Sequence, residues 1–169
     1  MKTPGTDRPN KAVFLDRDGV INDDTGHYYL HRVEDLRINP GVIETLRILS
    51  EKGYLLIIIT NQGGIARGEY TSGDTDRFHA ALLGRLAAQQ VKITDIYYCP
   101  HHHTIEKCLC RKPEPLMLEK AMARYGIDPE HSWFIGDKES DMAAGRAAGV
   151  KTLLIEANSD LGQVLPKIS

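Results

Sequence analysis

The sequence predicts an α/β fold in which a central parallel β-sheet is covered by helices on both faces. Short apolar runs, each long enough for one buried strand, recur along the chain, and helical segments separate them. These runs lack the polar alternation of a half-exposed strand, as is usual for strands buried on both faces of a parallel sheet. Because right-handed crossovers join such strands, we expect a Rossmann-like three-layer sandwich.

Composition indicates one globular domain. The chain has 169 residues, of which 41% are apolar and 26% are charged. Its net charge of -2, without long runs of one sign, gives no footprint for a nucleic acid or an anionic membrane. We expect a flexible tail over 1–11 and a single domain over 12–169. No stretch resembles a signal peptide or a membrane span, which predicts a cytoplasmic protein, and we expect a monomer.

The first predicted strand is the apolar run 12–15, and it leads directly into two acids, Asp16 and Asp18, followed by Gly19. In open α/β sheets, ligands bind at the carboxyl ends of the strands. Two carboxylates ~5 Å apart repel by roughly 3 kcal/mol at an effective dielectric near 20, so a cation beside them is needed. Mg²⁺ suits such a site when substrate phosphate oxygens and waters complete its shell. The alternative is that the acids only cap a turn.

A long polar loop over 20–37 follows the paired acids. Loops of this length inside a compact domain are usually functional. The candidates for substrate contacts are Asp24, Thr25, Gly26 and His27. The alternative is a solvated connection in which Tyr28 and Tyr29 pack on the body of the domain.

Pro40 and Gly41 open a predicted helix that Gly53 ends, and the second strand follows over 54–61. This strand ends in Thr60 and Asn61, whose hydroxyl and amide groups are good donors to phosphate oxygens. The next loop, 62–68, contains three glycines that allow backbone N–H groups to approach an anion. Its first two residues, Gln62 and Gly63, are therefore further candidates for substrate binding.

Apolar residues recur every four positions between 74 and 89, which predicts an amphipathic helix. We interpret His79 in this helix as a packing or surface residue. The run 96–98 predicts a third strand.

All three cysteines lie in the segment 99–110 that follows the third strand. Three thiolates and one imidazole make a complete tetrahedral zinc set without a position for substrate, so we expect a structural site. The predicted ligands are Cys99, His101, Cys108 and Cys110. His102 or His103 can replace His101, and the alternative is free thiols beside a surface histidine run. A bound zinc would order a long loop.

Arg111 and Lys112 follow the last cysteine and precede a predicted helix over 115–125. They suit phosphate binding, because lysine supplies a point charge and arginine a fork of donors. The alternative is that both are exposed charges.

The run 132–136 predicts a fourth strand, which ends at Asp137 and Lys138, and a helix over 141–148 and a fifth strand over 151–155 follow. Parallel strands share one carboxyl edge. Asp16, Thr60 and Asp137 are therefore expected to converge on one metal-dependent phosphate site.

Four short motifs resemble those of the haloacid dehalogenase superfamily, and they span nearly the whole chain. They are Asp16-Arg17-Asp18-Gly19-Val20, Thr60-Asn61, Lys112 and Gly136-Asp137-Lys138. The cysteine segment with Arg111-Lys112-Pro113 is similar to the zinc-loop branch that heptose bisphosphate phosphatases and histidinol-phosphate phosphatases share. The segments 61–68 and 136–138 are closer to the heptose branch. His27 departs from the aromatic residue that is usual there.

The resemblance implies a Mg²⁺-dependent phosphomonoesterase acting on a phosphosugar in nucleotide-heptose biosynthesis, without a cap domain. Asp16 would attack phosphorus and form an aspartyl phosphate, while Asp18 would serve as general acid and base. The carboxylates of Asp16 and Asp137 and the backbone carbonyl of Asp18 would bind Mg²⁺. Thr60 and Lys112 would hold the transferring phosphoryl group. Arg111 would contact the sugar or its 1-phosphate, and Lys138 would support the site.

Three alternatives stay open at this point. The same fold and chemistry serve a histidinol-phosphate phosphatase. A catalytically silent phosphosugar-binding module would use the same pocket, although the retention of both acids argues against it. A zinc-stabilised interaction domain would require the four motif matches to be coincidental.

Overall fold

The structure, a computed structural model, describes residues 8–169. Its strands are β1 (Lys11–Leu15), β2 (Tyr54–Asn61), β3 (Asp95–Cys99), β4 (Trp133–Gly136) and β5 (Lys151–Leu154). Its α-helices are α1 (Val42–Glu51), α2 (Ser72–Ala88), α3 (Leu116–Tyr125) and α4 (Glu139–Ala148).

The strands form one sheet in the order β3-β2-β1-β4-β5, and every neighbouring pair is parallel. Leu15 at the end of β1 pairs with Ile58 of β2 and Ile135 of β4. The chain winds from β1 outward to β3 and then crosses to β4 on the other side of β1. The gap between the carboxyl ends of β1 and β4 is therefore the topological switch point, where α/β sheets bind ligands.

Alternate residues of each central strand enter two different apolar cores. Val13 and Leu15 of β1 face a core formed with α1 and α2, whereas Ala12 and Phe14 face a core formed with α3 and α4. Burial on both faces explains why the strands read as continuous apolar runs. The predicted three-layer α/β sandwich is thus confirmed.

Two segments add to the predicted pattern. β1 begins at Lys11, and Asn10 forms a bridge with Ile127, so ordered backbone starts inside the predicted tail; residues 1–7 of that tail lie outside the described residues. A C-terminal 3₁₀ helix, Leu161–Lys167, packs against α1 and buries Leu161 and Val164. Periodicity did not predict it, because Gly162 and Pro166 interrupt its pattern.

Within residues 8–169 no additional domain is inserted between the strands, so the fold has no cap. The same residues contain no helix of the length and apolar character that crossing a membrane requires.

Candidate active site

The predicted catalytic residues meet at the carboxyl edge of the sheet. Asp16 follows β1, Thr60 lies near the end of β2, and Lys112 precedes α3. They border a small cavity of about 40 Å³ at the floor of the site, together with Asp18 and Asp141. The fold therefore places the polar ends of several strands around a space of phosphate size.

Asp16 is 5% exposed and is held by two donors. The backbone N–H of Arg17 donates to its Oδ1 at 2.8 Å, and Lys112 Nζ donates to the same atom at 3.0 Å. Burial raises the pKa of Asp16, and the negative charge of Asp141 adds to this, against the lowering effect of Lys112. The carboxylate is thus rigidly positioned, and its ionisation is favoured by further positive charge.

Three carboxylates, those of Asp16, Asp137 and Asp141, offer oxygen atoms within 4.8 Å of one another. Asp137 Oδ1 is buried and has no hydrogen-bond donor among residues 8–169. Burial and the nearby charge of Asp16 raise the pKa of Asp137 to about 7. An orphaned acceptor in a cluster of hard oxygen donors fits a divalent cation such as Mg²⁺.

Gly19 makes this arrangement possible. Its φ of +82° lies in the left-handed region, and a Cβ atom there would lie 2.5 Å from Asp137 Oδ2. Glycine therefore allows the turn after the paired acids to pass directly beside the metal candidate.

The sequence analysis did not identify Asp141 as a site residue. It lies in the first turn of α4 and is 1% exposed, and its Oδ2 accepts from the backbone N–H of Lys138 at 3.2 Å. Its Oδ1 forms an ion pair with Lys112 Nζ at 2.7 Å. The sequence feature that could have identified it is its spacing of four residues from Asp137. One helical turn brings a residue at this spacing back to the same edge of the sheet.

Lys112 is the buried cation of the site. Its Nζ contacts Asp16, Asp141 and the carbonyl of Ile59, the last at 2.9 Å. Burial opposes its charge, but the two carboxylates outweigh burial and raise the pKa of Lys112. The Asn61 amide binds the backbone N–H and C=O of Lys112 at 3.0 and 3.1 Å. Asn61 thus fixes Lys112, besides lining the cavity.

Asp18 turns its carboxylate away from the acid cluster towards Arg17. The guanidinium donates to Oδ1 through Nε and to Oδ2 through Nη2, both at 2.9 Å. Arg17 itself is fully buried, stacks over Phe78 at 4.4 Å and donates to the carbonyl of Leu30 at 2.7 Å. The sequence analysis assigned no role to Arg17, because an arginine between two acids reads locally as a solvated charge.

His79 is also part of this arrangement. It is 7% exposed, and its Nε2 lies 3.1 Å from Arg17 Nη1. Burial, together with the positive charge of Arg17, lowers the pKa of His79 to about 3. The neutral ring therefore accepts a hydrogen bond from Arg17, which supports the packing interpretation of this residue.

A larger open cavity of about 820 Å³ lies above the floor of the site. It is bordered by the loop after β1, the loop after β2 and the cysteine loop. Predicted substrate contacts in its lining are Asp24, His27, Asn61, Gln62, Gly63, Arg111, Lys112 and Lys138. A cavity of this volume is large enough to admit a small-molecule ligand.

Thr25 and Gly26 do not line the cavity, unlike their predicted neighbours Asp24 and His27. The N–H of His27 donates to the carbonyl of Asp24 at 2.9 Å, so the chain turns here. Gly26 has a φ of +78° and open space around it. The tip of this turn points away from the cavity, while its two ends reach it.

The cysteine loop gathers the four predicted zinc ligands. One donor atom from each of Cys99, His101, Cys108 and Cys110 lies within 4.8 Å of all the others. His101 Nδ1 lies 3.4 Å from Cys99 Sγ and 3.3 Å from Cys110 Sγ. Among the three adjacent histidines, His102 instead bonds Thr104 at 2.7 Å. This donor set fits a tetrahedral zinc ion, with His101 as its imidazole.

Known proteins are similar to this chain in fold and in sequence. The HAD-hydrolase-like family model matches residues 109–165. The structure of a HAD-like phosphatase from Mesorhizobium loti is similar with a TM-score of 0.85 and 27% identity, covering 99% of this chain and 90% of that chain. The D,D-heptose 1,7-bisphosphate phosphatase from B. bronchiseptica, complexed with magnesium and phosphate, gives a TM-score of 0.81 and 28% identity, covering 93% of this chain and 86% of that chain.

Fold and site together define a phosphatase of the haloacid dehalogenase class. Relatives with curated functions show to which family within this class the chain belongs. D-glycero-alpha-D-manno-heptose-1,7-bisphosphate 7-phosphatase from Campylobacter jejuni is 46% identical over 86% of this chain and 81% of its own length. D-glycero-beta-D-manno-heptose-1,7-bisphosphate 7-phosphatase from Haemophilus influenzae is 44% identical over 84% and 79%, respectively. The chain belongs to the family of heptose-1,7-bisphosphate 7-phosphatases.

Proposed function

We propose that the protein hydrolyses the 7-phosphate of D-glycero-D-manno-heptose 1,7-bisphosphate. The observation that carries this proposal is the identity of 44–46% to heptose-1,7-bisphosphate 7-phosphatases, and the nesting of two cavities supports it. A floor pocket of about 40 Å³ is lined by the buried ends of the strands, and it adjoins the open cavity of about 820 Å³. Asp18, Asn61, Lys112 and Lys138 border both. One phosphate would occupy the floor, and the sugar with its second phosphate would occupy the larger space.

Asp16 is the proposed nucleophile. It attacks the phosphorus atom, the bond from phosphorus to the sugar oxygen breaks, and an aspartyl phosphate forms. Lys112, 3.0 Å from Asp16 Oδ1, together with Thr60 would hold the equatorial phosphoryl oxygens. Splitting the reaction into formation and hydrolysis of the acyl phosphate replaces one difficult step with two easier ones.

Asp18 is the proposed general acid and base. It gives a proton to the leaving sugar oxygen, and in the second step it takes a proton from the attacking water. Its ion pair with buried Arg17 holds the carboxyl group at the border of both cavities. This position suits proton exchange with a group that lies between phosphate and sugar.

Asp16 and Asp137, with the backbone carbonyl of Asp18, are the proposed Mg²⁺ ligands, and Asp141 is added to this set because it shares the cluster. When bound, Mg²⁺ offsets the repulsion between the nucleophile and the phosphate oxygens. The orphaned oxygen of Asp137 supports the assignment. Cys99, His101, Cys108 and Cys110 are the proposed ligands of a structural zinc.

Arg111 and Lys138 are the proposed contacts for the sugar or its 1-phosphate. Both line the larger cavity, and Arg111 is anchored by a hydrogen bond of 3.1 Å to the carbonyl of His101. Asp24, His27 and Gly63 would contact the sugar from the opposite loops. We further propose that the protein is cytoplasmic, because zinc-binding thiolates persist in a reducing compartment, and that it is a monomer.

The experiment compares phosphate release from heptose 1,7-bisphosphate and from histidinol phosphate, with Mg²⁺ present and absent. We expect a kcat/KM at least about 100-fold higher for the bisphosphate. Its second phosphate adds one charged contact, and such a contact contributes roughly this factor. Asp16→Asn should abolish turnover, and Asp76→Asn, an exposed acid on α2, is the matched control. A preference for histidinol phosphate would overturn the substrate assignment. Full activity in Asp16→Asn would overturn the mechanism.

A further inference from the structure

Gln62 directly follows β2 and is 2% exposed, and its side-chain amide is used entirely inside the protein. Its Nε2 donates to Thr60 Oγ1 at 2.8 Å and to Asp18 Oδ2 at 3.3 Å. Its Oε1 accepts from the hydroxyl of Tyr70 at 2.6 Å. Both amide hydrogens are thus directed at proposed catalytic side chains, and neither is available to a ligand.

The two oxygens of Asp18 have different surroundings. Oδ1 accepts from Arg17 Nε at 2.9 Å and from Asn22 Nδ2 at 3.0 Å. Oδ2 accepts from Arg17 Nη2 at 2.9 Å and from the more distant Gln62. Gln62 is therefore the donor that links Asp18 to Thr60, and it completes the hydrogen bonding of the oxygen that has the weaker set of donors.

Tyr70 contributes to the orientation of the Gln62 amide. The two ends of an amide have nearly the same shape, so its orientation is set by its partners. Burial raises the pKa of Tyr70, which keeps its hydroxyl protonated and able to donate to Oε1. Without this donor the amide oxygen loses its partner, and the amide is held only by its contacts with Thr60 and Asp18.

The ring of Tyr70 is itself held in place. It stacks on His31 with centroids 4.7 Å apart and meets the edge of Tyr29 at 5.9 Å. A Cβ atom on Gly64 would lie 2.2 Å from Tyr70 Cε1. The loop after β2 therefore needs a glycine at position 64 so that the phenol can reach Gln62.

We infer that Gln62 and Tyr70 are positioning residues, which act as one hydrogen-bonded unit to orient Asp18 and Thr60 and do not bind substrate. This inference rests on the proposed roles of Asp18 and Thr60. It assigns to Gln62 a function different from the substrate contact that its place in the glycine-rich loop indicated. It also gives Tyr70 and Gly64 a part in the reaction.

A double-mutant cycle with Tyr70→Phe and Gln62→Met tests the inference on heptose 1,7-bisphosphate with saturating Mg²⁺. Loss of one orienting hydrogen bond is expected to lower kcat about tenfold in Tyr70→Phe, with KM changed less than about twofold. Gln62→Met should lower kcat about 10- to 100-fold. Because Tyr70 acts only through Gln62, the double variant should be no slower than Gln62→Met alone. Gly64→Ala should reproduce Tyr70→Phe.

Tyr125→Phe is the matched control. Tyr125 lies on α3, and its phenol hydroxyl donates to Asp95 of β3 at 2.7 Å, away from the site. The kcat of this variant should equal that of the wild type. Multiplicative losses in the double variant, or a raised KM with unchanged kcat in Gln62→Met, would overturn the inference. An unchanged kcat in Tyr70→Phe, with an active wild type, would overturn this inference but not the proposed function. An inactive wild type would overturn the proposed function as well.

Discussion

At the switch point of the sheet, more negatively than positively charged side chains are buried. Asp16 and Asp141 are almost fully buried, and Asp137 is partly buried, yet Lys112 is the buried cation that touches this cluster. Arg17 serves Asp18 instead. Such an excess of negative charge in a low dielectric is costly: burial first, and then the charge of Asp16, raise the pKa of Asp137. A divalent cation would remove that cost, which links Mg²⁺ binding to protonation.

This link predicts a pH dependence of the magnesium-free protein. The pKa of Asp137 is about 7 in the folded protein, against 3.8 for the free group. Between pH 3.8 and about 7 the folded state therefore holds a proton that the unfolded state has lost. Stability contributed by that proton is present at low pH and is lost as pH rises through about 7. Urea midpoints of the magnesium-free wild type and Asp137→Asn should diverge over this range, with the variant falling less steeply.

Added Mg²⁺ supplies the control for this prediction, because it should raise the midpoint of the wild type more at pH 7.5 than at pH 5.5 and should have little effect on Asp137→Asn. Midpoints of the two proteins that run parallel across the whole pH range would contradict the assignment of Asp137 as the titrating group.

The loops after β1, β2, β3 and β4 carry the site, while the helices and strands hold them in place. The loop after β3 covers residues 100–115, and together with the last residue of β3 it supplies the cluster Cys99, His101, Cys108 and Cys110. Arg111 and Lys112 follow it directly. Without a bound metal the ordering of this loop would cost conformational entropy that few apolar contacts repay, since Ile105 and Leu109 are exposed.

Changes at the cluster are therefore expected to affect metal content and stability together. Cys108→Ser and His101→Ala should each lower the zinc content, measured by mass spectrometry of metals, and lower the melting temperature by on the order of 5 °C or more. His103→Ala is the control, because this exposed ring stacks only on His102. Zinc at full stoichiometry in both Cys108→Ser and His101→Ala would disprove the ligand assignment.

Local sequence pattern predicted the strands and helices well, since apolar period and flanking glycines act over a few residues. β2 was predicted with its observed bounds, 54–61, and the bounds of the other strands and α-helices differ by two residues at most. The pattern could not show that Thr25 and Gly26 turn away from the cavity, which depends on the hydrogen bond that closes their turn. Nor could it show that Asp141 joins the acids, because its partners are distant in sequence.

The whole molecule brings these parts together through its topology. The order β3-β2-β1-β4-β5 places β1 at the centre, so that Asp16 and Asp137 face each other across the switch point. Parallel pairing made their convergence predictable from the sequence, but strand order and the buried Arg17 with His79 depend on tertiary packing. Relatives that are 41–46% identical supply the substrate hypothesis, and the two adjoining cavities agree with it.

The proposed reaction removes the 7-phosphate of the substrate and leaves its 1-phosphate in place. Phosphorus NMR of the reaction with heptose 1,7-bisphosphate follows the resonances of the 1-phosphate and the 7-phosphate separately as inorganic phosphate appears. We predict that the 7-phosphate resonance disappears while the 1-phosphate resonance persists, since the relatives that are 44–46% identical are named 7-phosphatases. Loss of the 1-phosphate, or of both phosphates at similar rates, would contradict the proposed function.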